Sequence, residues 1–326
     1  MHGDPILLLL LPISFSYPNR VRIDVMVHRL AYHKFQHCYL ATLVLMGACA
    51  VVGNAQQPPK KRPGPIPRMI ILPAKVIAGT QATLAVLDSQ GRLLPDITVE
   101  LSGGQKVTTD VTGRAVFNAP GQPGALVAKI SGRGINAFAP VAAANGSGPH
   151  LEPGSSPGEL KIISYPHVLA IHDRFTLEGA GFRSAADSNR VLLNGDPCLV
   201  VAASPVSLVV LPGPRVPVGD ATLRVSVDGT DGGSFPVSAV LLEFSGPAET
   251  PDAGSTGSLI LRAHGTTEPL MVEVRNGSPG VIQLLGGNLQ RVKTTGGDQN
   301  TAPLEVKFLS SGNYFLTARV VSADRR

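Results

Sequence analysis

The stretch "DRFTLEGAGFRSAADSNRVLLNGDPCLVV", residues 173–201, gathers the residue types best able to do chemistry: a Gly-x-Gly (Gly179, Gly181), a polar cluster and Cys198. A dinucleotide-binding loop needs a third glycine, a helix behind it and a later acid for the ribose. Here Phe182-Arg183-Ser184 follow Gly181, and a strand pattern, "RVLLNGDPCLVV", returns almost at once. The Gly-Lys-Ser/Thr of a Walker loop is also missing. Cys198 stands in an apolar run with no base beside it, which predicts a small buried hydrophobe rather than a nucleophile.

The other candidates thin out in the same way. Beyond residue 55 the histidines are His150, His167, His172 and His264. His167 and His172 are an odd number of residues apart, which in a strand puts them on opposite faces and not on one metal. The sequence holds no CxxC, no HExxH and no Cys/His cluster with zinc spacing. No nucleophile elbow is read: "GSSPG" (Gly154–Gly158) spells G-x-S-x-G but is linker chemistry, and "NGSPG" (Asn276–Gly280) is turn chemistry. "DGTDGG" (Asp228–Gly233) lacks the alternating oxygen ligands and closing glutamate of a calcium loop and reads as a tight turn. Trp is absent, and beyond residue 55 only Tyr165 and Tyr314 remain, so an aromatic platform for sugars is missing; Tyr314 is expected in a core or corner. No catalytic, cofactor or metal residue is assigned, no cofactor is expected, and the chain reads as a non-enzyme whose binding residues the sequence does not name.

The elements around these residues follow from composition. Gly (36) and Pro (28) make up about a fifth of the 326 residues, while charged residues are 16% and apolar ones 43%. Val, Leu and Thr dominate and long amphipathic helical runs are missing, the profile of a β-protein rich in turns. The net charge of +5 sits outside the folded part: from Pro63 onward there are 21 basic and 21 acidic residues. A nucleic-acid face needs clustered basic charge on a domain, and the sequence shows no such cluster, so no nucleic-acid partner is expected.

Residues 26–55 begin with a positive region (Arg29, Lys34), continue with an apolar run from Cys38 to Val52 and end in Gly53-Asn54-Ala55. This is the plan of a secretory signal peptide, and the run is short for a membrane span of about 20 residues. Residues 1–25 fit no such plan and are expected to be an extension upstream of a true start at Met26. "LMGAC" (Leu45–Cys49) offers a second reading as a lipoprotein box with Cys49 lipidated, although Met46 takes the place of the usual Leu. A cut after Ala55 leaves Cys198 as the one cysteine, which rules out an intramolecular disulfide. No other segment is apolar enough to span a bilayer.

After the cut, 56–67 is a Pro-rich tether. Residues 68–142 alternate apolar and polar with period two, with turn signals at Ser89-Gln90-Gly91, Gly103-Gly104 and Thr112-Gly113. That regular punctuation predicts a β-sandwich. Residues 143–158 and 245–258 read as linkers, bounding further units at 159–244 and 259–326. In the second unit, "RFTLEG" is a strand with Phe175 and Leu177 on one face, Gly179 and Gly181 permit a bend, and Asn194-Gly195 predicts a hairpin.

Five segments in order carry a family likeness: "IISYP" (Ile162–Pro166), "FTLEGAGF" (Phe175–Phe182), "NRVLLNGDPCLVV" (Asn189–Val201), "SLVVLPGPRVPVGDATLRVSV" (Ser207–Val227) and "DGGSFPV" (Asp231–Val237). With these, residues 160–244 resemble an IPT/TIG domain. "VIAGTQATLAVLDSQGRLLPDITVEL" and "TTDVTGRAVFNAPGQPG" make residues 68–142 similar to a bacterial Ig-like domain of the invasin/intimin type or to a carboxypeptidase-regulatory-like domain. "SGNYFLTARVV" (Ser311–Val321) is similar to the final strands of Ig-like and PKD-like modules. The resemblances imply an all-β chain: three immunoglobulin-like β-sandwiches in series after a signal peptide. They imply a non-catalytic exported protein, periplasmic, cell-surface or secreted, that binds or spaces at the bacterial envelope. Its partner is expected to be an envelope or extracellular protein or a polysaccharide, with a glycan-binding accessory and a ligand-free stalk as the alternatives.

Overall fold

The computed structural model describes residues 66–144, 159–247 and 251–321. The expected extension, the signal peptide with Cys49, most of the Pro-rich tether and residues 145–158 lie outside the described residues. The first unit comprises β1 (Pro67–Ile71), β2 (Val76–Ile77), β3 (Gln81–Asp88), β4 (Thr98–Leu101), β5 (Lys106–Thr108), β6 (Arg114–Asn118), β7 (Gly124–Ile130) and β8 (Ile135–Ala142). The second holds β9 (Lys161–Ser164), β10 (Val168–Ala170), β11 (Phe175–Ala180), β12 (Asn189–Leu193), β13 (Asp196–Pro197), β14 (Leu199–Ser204), β15 (Ser207–Leu211), β16 (Gly219–Val227) and most of β17 (Thr230–Ser245). The third adds β18 (Thr256–His264), β19 (Met271–Asn276), β20 (Ile282–Leu284), β21 (Leu289–Lys293), β22 (Thr301–Phe308) and β23 (Leu316–Val320). Among the described residues the only helical turn is Ala186–Ser188, and no helix is long and apolar enough to cross a membrane.

Each unit packs two sheets over its own core, because alternate residues of each strand face inward. Leu84, Val99, Phe117 and Leu126 centre the first core; Leu177, Leu193, Leu208 and Leu223 the second; Leu259, Leu261, Ile282 and Leu304 the third. Phe175 and Leu177 are both buried, as the period of "RFTLEG" predicts.

The described parts of the first and second units are in contact. β3 is buried at seven of its eight positions. One face belongs to its own core, while Ala85 and Leu87 join Ile71 in a small cluster with Val201, Ala202 and Val209 of the second unit. β3 and β14 meet edge to edge at Thr83 and Ala203, so a seven-stranded sheet runs in the order β1-β3-β14-β15-β11-β9, with β6 on β3. Side chains seal the seam. Thr83 Oγ1 donates to the Ser184 carbonyl at 2.6 Å, Ser204 Oγ to the Lys75 carbonyl at 2.6 Å, and the Ala74 N–H to Ser207 Oγ at 3.2 Å. The buried Arg114 places Nη1 2.5 Å from Asp187 Oδ1, while its Nε finds no acceptor among the described residues.

The second junction is a shared strand. β17 pairs with β16 over Thr230–Ala239 and with β18 over Leu241–Ser245. Its middle also takes β10 as a parallel neighbour. Residues 245–258, expected to be a linker, fall between β17, which ends at Ser245, and β18, which begins at Thr256, two strands that pair antiparallel. Gly and Pro content marks a turn as readily as a tether.

The turns of the first unit fall where the sequence places them. Asp88 Oδ1 accepts the N–H groups of Gln90 (2.8 Å) and Arg92 (3.0 Å), and Arg92 Nε reaches Oδ2 at 2.8 Å. Burial works to raise the Asp88 pKa, but the bonds from Arg92 and Gln90 outweigh it and hold it below the ordinary value. Asp110 is lowered too, chiefly by the Thr112 hydroxyl at 2.6 Å. A folded pKa below the unfolded value near 4 gives stability that is complete above that value and lost as pH falls through the folded one. Urea midpoints are expected to drop below about pH 4, and Asp88→Asn should flatten that drop; an unchanged pH profile in the variant would show the carboxylate to be idle. At the first seam, Asp187→Ala strands the buried guanidinium and should cost about 1–3 kcal/mol in the same titration, with an unmoved midpoint counting against the pair.

Candidate functional site

All three units meet at a trench. Its larger section, about 370 Å³, lies between the second unit (Ser164, Tyr165, Thr176, Glu178) and the third (Glu273, Arg291, Arg319, Val320). A second section of about 250 Å³ is walled by the first unit, through Met69–Ala74, Ala137 and Phe138, against Thr176 and Val209. Arg174, Thr176 and Arg319 line both sections, so the two lie side by side and share a wall. The first-unit end is apolar: Phe138 is 71% exposed and Met69 39%. The third-unit end is charged.

Strand register sets that charge. On β19, β21 and β23 the residues Val272, Val274, Val292, Leu316, Ala318 and Val320 turn into the third core. Their neighbours Met271, Glu273, Arg275, Leu289, Arg291, Lys293, Thr317 and Arg319 must take the outer face. Glu273 stands opposite Arg291 on one side and Arg319 on the other. Arg291 Nε lies 3.6 Å from Glu273 Oε2, and Arg319 Nε reaches across to Asp173 Oδ2 of the second unit at 3.0 Å. One sheet face thus carries Arg275, Arg291, Lys293 and Arg319 against one carboxylate. The sequence, with equal numbers of acids and bases beyond Pro63, gave no sign of clustered charge; the fold corrects that by pairing segments far apart in the chain.

Arg174 sits at the centre of the trench. Among the described residues its side chain has no carboxylate within ion-pair distance and no hydrogen bond. Burial lowers its pKa, Asp173 works the other way, and the charge of Arg319 lowers it further. The arrangement holds three guanidinium groups (Arg174, Arg291, Arg319) and three carboxylates (Asp173, Glu178, Glu273), an apolar wall and open space. It can bind an extended or anionic ligand; it brings together no nucleophile with a base.

Residues 165–241 match the IPT/TIG domain family. No curated protein sequence matches the chain. Among solved structures it is similar to the plexin A4 extracellular region (14% identity over 76% of this chain and 21% of that one, TM-score 0.26). It is also similar to the Bacteroides ovatus mixed-linkage glucan utilization locus protein SGBP-B, in complex with a mixed-linkage heptasaccharide (13%, 83% and 64%, TM-score 0.20), and to SGBP-B from a complex xyloglucan utilization locus in Bacteroides uniformis (13%, 79% and 100%, TM-score 0.24). The chain spans about a fifth of the plexin region and 64% of the B. ovatus protein.

Within the matched residues, the Gly-x-Gly proves structural. Gly181 has φ +79°, a conformation that favours glycine, but Gly179 has no positive φ. Its need is steric rather than conformational, since a Cβ there would collide with the Lys161 carbonyl of β9. Asn194 and Gly195, both at positive φ, close the β12–β13 hairpin as expected. Asp228-Gly229 does the same between β16 and β17; Asp228 pairs with Arg183 at 2.6 Å, and Asp231 accepts the Gly233 N–H at 2.9 Å. His167 and His172 flank β10 rather than share a strand; His167 lies 4.9 Å from the Tyr165 ring. His264 Nε2 lies 2.9 Å from Glu243 Oε2, and His150 falls outside the described residues. Tyr314 is half-buried against the third core, its ring 6.1 Å from Phe308. No group of three His, Cys, Asp or Glu side chains among the described residues could hold a metal.

Cys198 departs in one respect from the buried position expected. It is half-buried between β13 and β14, packed at the margin of the second core. Burial raises the thiol pKa, with Asp196 adding to it against a bond from Gly213. Alkylation of Cys198 at about pH 8 should be several-fold slower in the folded protein than in urea, with Cys198→Ser as the blank; equal rates would mean an open, activated thiol.

Proposed function

We propose that this chain, whose central unit is an IPT/TIG domain, is a non-catalytic exported binding protein of the bacterial cell envelope, its ligand seated in the trench where the three units meet. The observation that carries the reading is the trench itself. Its walls come from three units locked by a shared strand and a shared sheet, so it is preformed, and preformed concave sites lose little freedom on binding. A stalk whose task is only to space would not need walls from three units. The signal-peptide plan of residues 26–55 supports export, and the Ig-like fold is a common scaffold for sites made by loops and strand edges.

Thr176 lines both sections of the trench, so Thr176→Trp fills it without touching a core. Export is tested by intact mass of the protein from a fractionated host, where a chain beginning at Gln56 outside the cytoplasm is expected. Binding is tested by screening that product against glycans and envelope extracts. The wild type should retain a ligand that Thr176→Trp loses at least about ten-fold, equal to about 1.4 kcal/mol. A cytoplasmic full-length chain would overturn the export reading, and an absence of any ligand for the wild type would favour the stalk.

A further inference from the structure

The charged end of the trench continues onto the outer face of β19, β21 and β23, and this surface is unlike the rest of a chain whose folded part is neutral. We infer that it binds an acidic polysaccharide, a linear glycan carrying carboxylates at regular intervals, laid along Arg275, Arg291, Lys293 and Arg319 and entering the trench at Arg174. The inference rests on the binding reading above and names the ligand class of that site.

Geometry is the first support. Neighbouring strands lie about 4.8 Å apart, so Arg291 and Arg319, on either side of β19, stand about 10 Å apart, and Arg291 and Lys293 about 7 Å apart along β21. The result is a set of four cations in which Arg291 is engaged by Glu273 and Arg319 by Asp173 of the second unit, while Arg275 and Lys293 make no ion pair among the described residues. Guanidinium forks suit carboxylates through paired N–H donors. Arg174 is the second support. It is half-buried in the trench, where Asp173 attracts it and Arg319 repels it, and among the described residues no carboxylate lies within ion-pair distance of its side chain, so an incoming anion would supply the close counter-charge it lacks.

The residues between the cations select the class of polymer. They are Met271, Leu289 and Thr317, none aromatic; the exposed ring of this face, Phe315, stands at its end just before β23, so successive nucleic-acid bases or neutral sugars have no row of rings to stack on. A folded protein partner would want an apolar, aromatic-anchored centre, whereas the centre of this face is the charged set of Glu273, Arg291 and Arg319. A protective role is the competing account, since charged side chains on exposed strands block edge-to-edge aggregation. It covers Arg291 and Lys293 on the edge strand β21, but not Arg275 on the central strand β19, nor Arg174 in another unit.

The test titrates the full chain with polygalacturonate and with its methyl-esterified, neutral form. Polyglutamate and single-stranded DNA serve as polyanions of other classes. Polygalacturonate should bind and the neutral ester should not, with affinity falling about ten-fold or more between about 50 and 200 mM salt. Arg174→Gln, and separately the exposed pair Arg291→Gln with Lys293→Gln, should each weaken binding about ten-fold at an unchanged melting temperature. Equal binding of the ester, tighter binding of polyglutamate or DNA, or variants that bind as the wild type would each overturn the inference. A neutral glycan retained in the wider screen, with no preference for charge, would overturn it while leaving the binding reading intact.

Discussion

The hydrogen-bond ladder of β17 is the constraint on which the rest of the molecule depends. A strand of sixteen residues serves two cores in succession: its first part closes the second unit against β16, its last part opens the third against β18. The peptide planes between Ala239 and Leu241 leave no room for a hinge, because β10 pairs alongside the strand at that point. The position of Arg319 over Asp173 follows from this, and with it the charged end of the trench. Were the crossing a flexible linker, the two walls would have no fixed spacing.

The other seam works through burial rather than continuity. β3 and β14 share a single bridged pair, yet the cluster of Ile71, Ala85, Leu87, Val201, Ala202 and Val209 seals their outer faces. Six apolar side chains of modest size do little for either core. Removing them from water together makes the two units one body, and the threonine and serine bonds around them fix the register. The Arg114–Asp187 pair adds little by itself, since Asp187 is largely solvated; its effect is to satisfy a guanidinium that the seam has buried.

Much of this architecture was legible in the sequence. The alternation in "RFTLEG", the Asn194-Gly195 hairpin and the turns at Gly91, Gly104 and Gly113 are local signals, set by backbone sterics and period-two patterning. What was not legible depends on register between distant segments. Arg275, Arg291 and Arg319 are scattered over forty-five residues, and only the pairing of β19 with β21 and β23 makes them neighbours. The seam left a readable trace that a one-sided pattern obscures: "ATLAVL" in β3 and "VVAAS" in β14 are small or apolar on both faces, which a sandwich strand with one solvated face would not be. Gly179 shows a third kind of limit. Its glycine requirement comes from the Lys161 carbonyl, eighteen positions earlier in the chain, not from its own dihedrals.

The shared strand also bears on how such a chain can be assembled over evolutionary time. Ig-like units spread by recombination because most begin and end at a loop, so a breakpoint between them leaves both intact. Here a breakpoint anywhere within Thr230–Ser245 deprives one sandwich of a sheet member, and a breakpoint after Ser245 separates β17 from its partner β18. Any cut between the second and third units would therefore cost one of them a sheet member, which makes the two together, rather than either alone, the piece that can be moved intact.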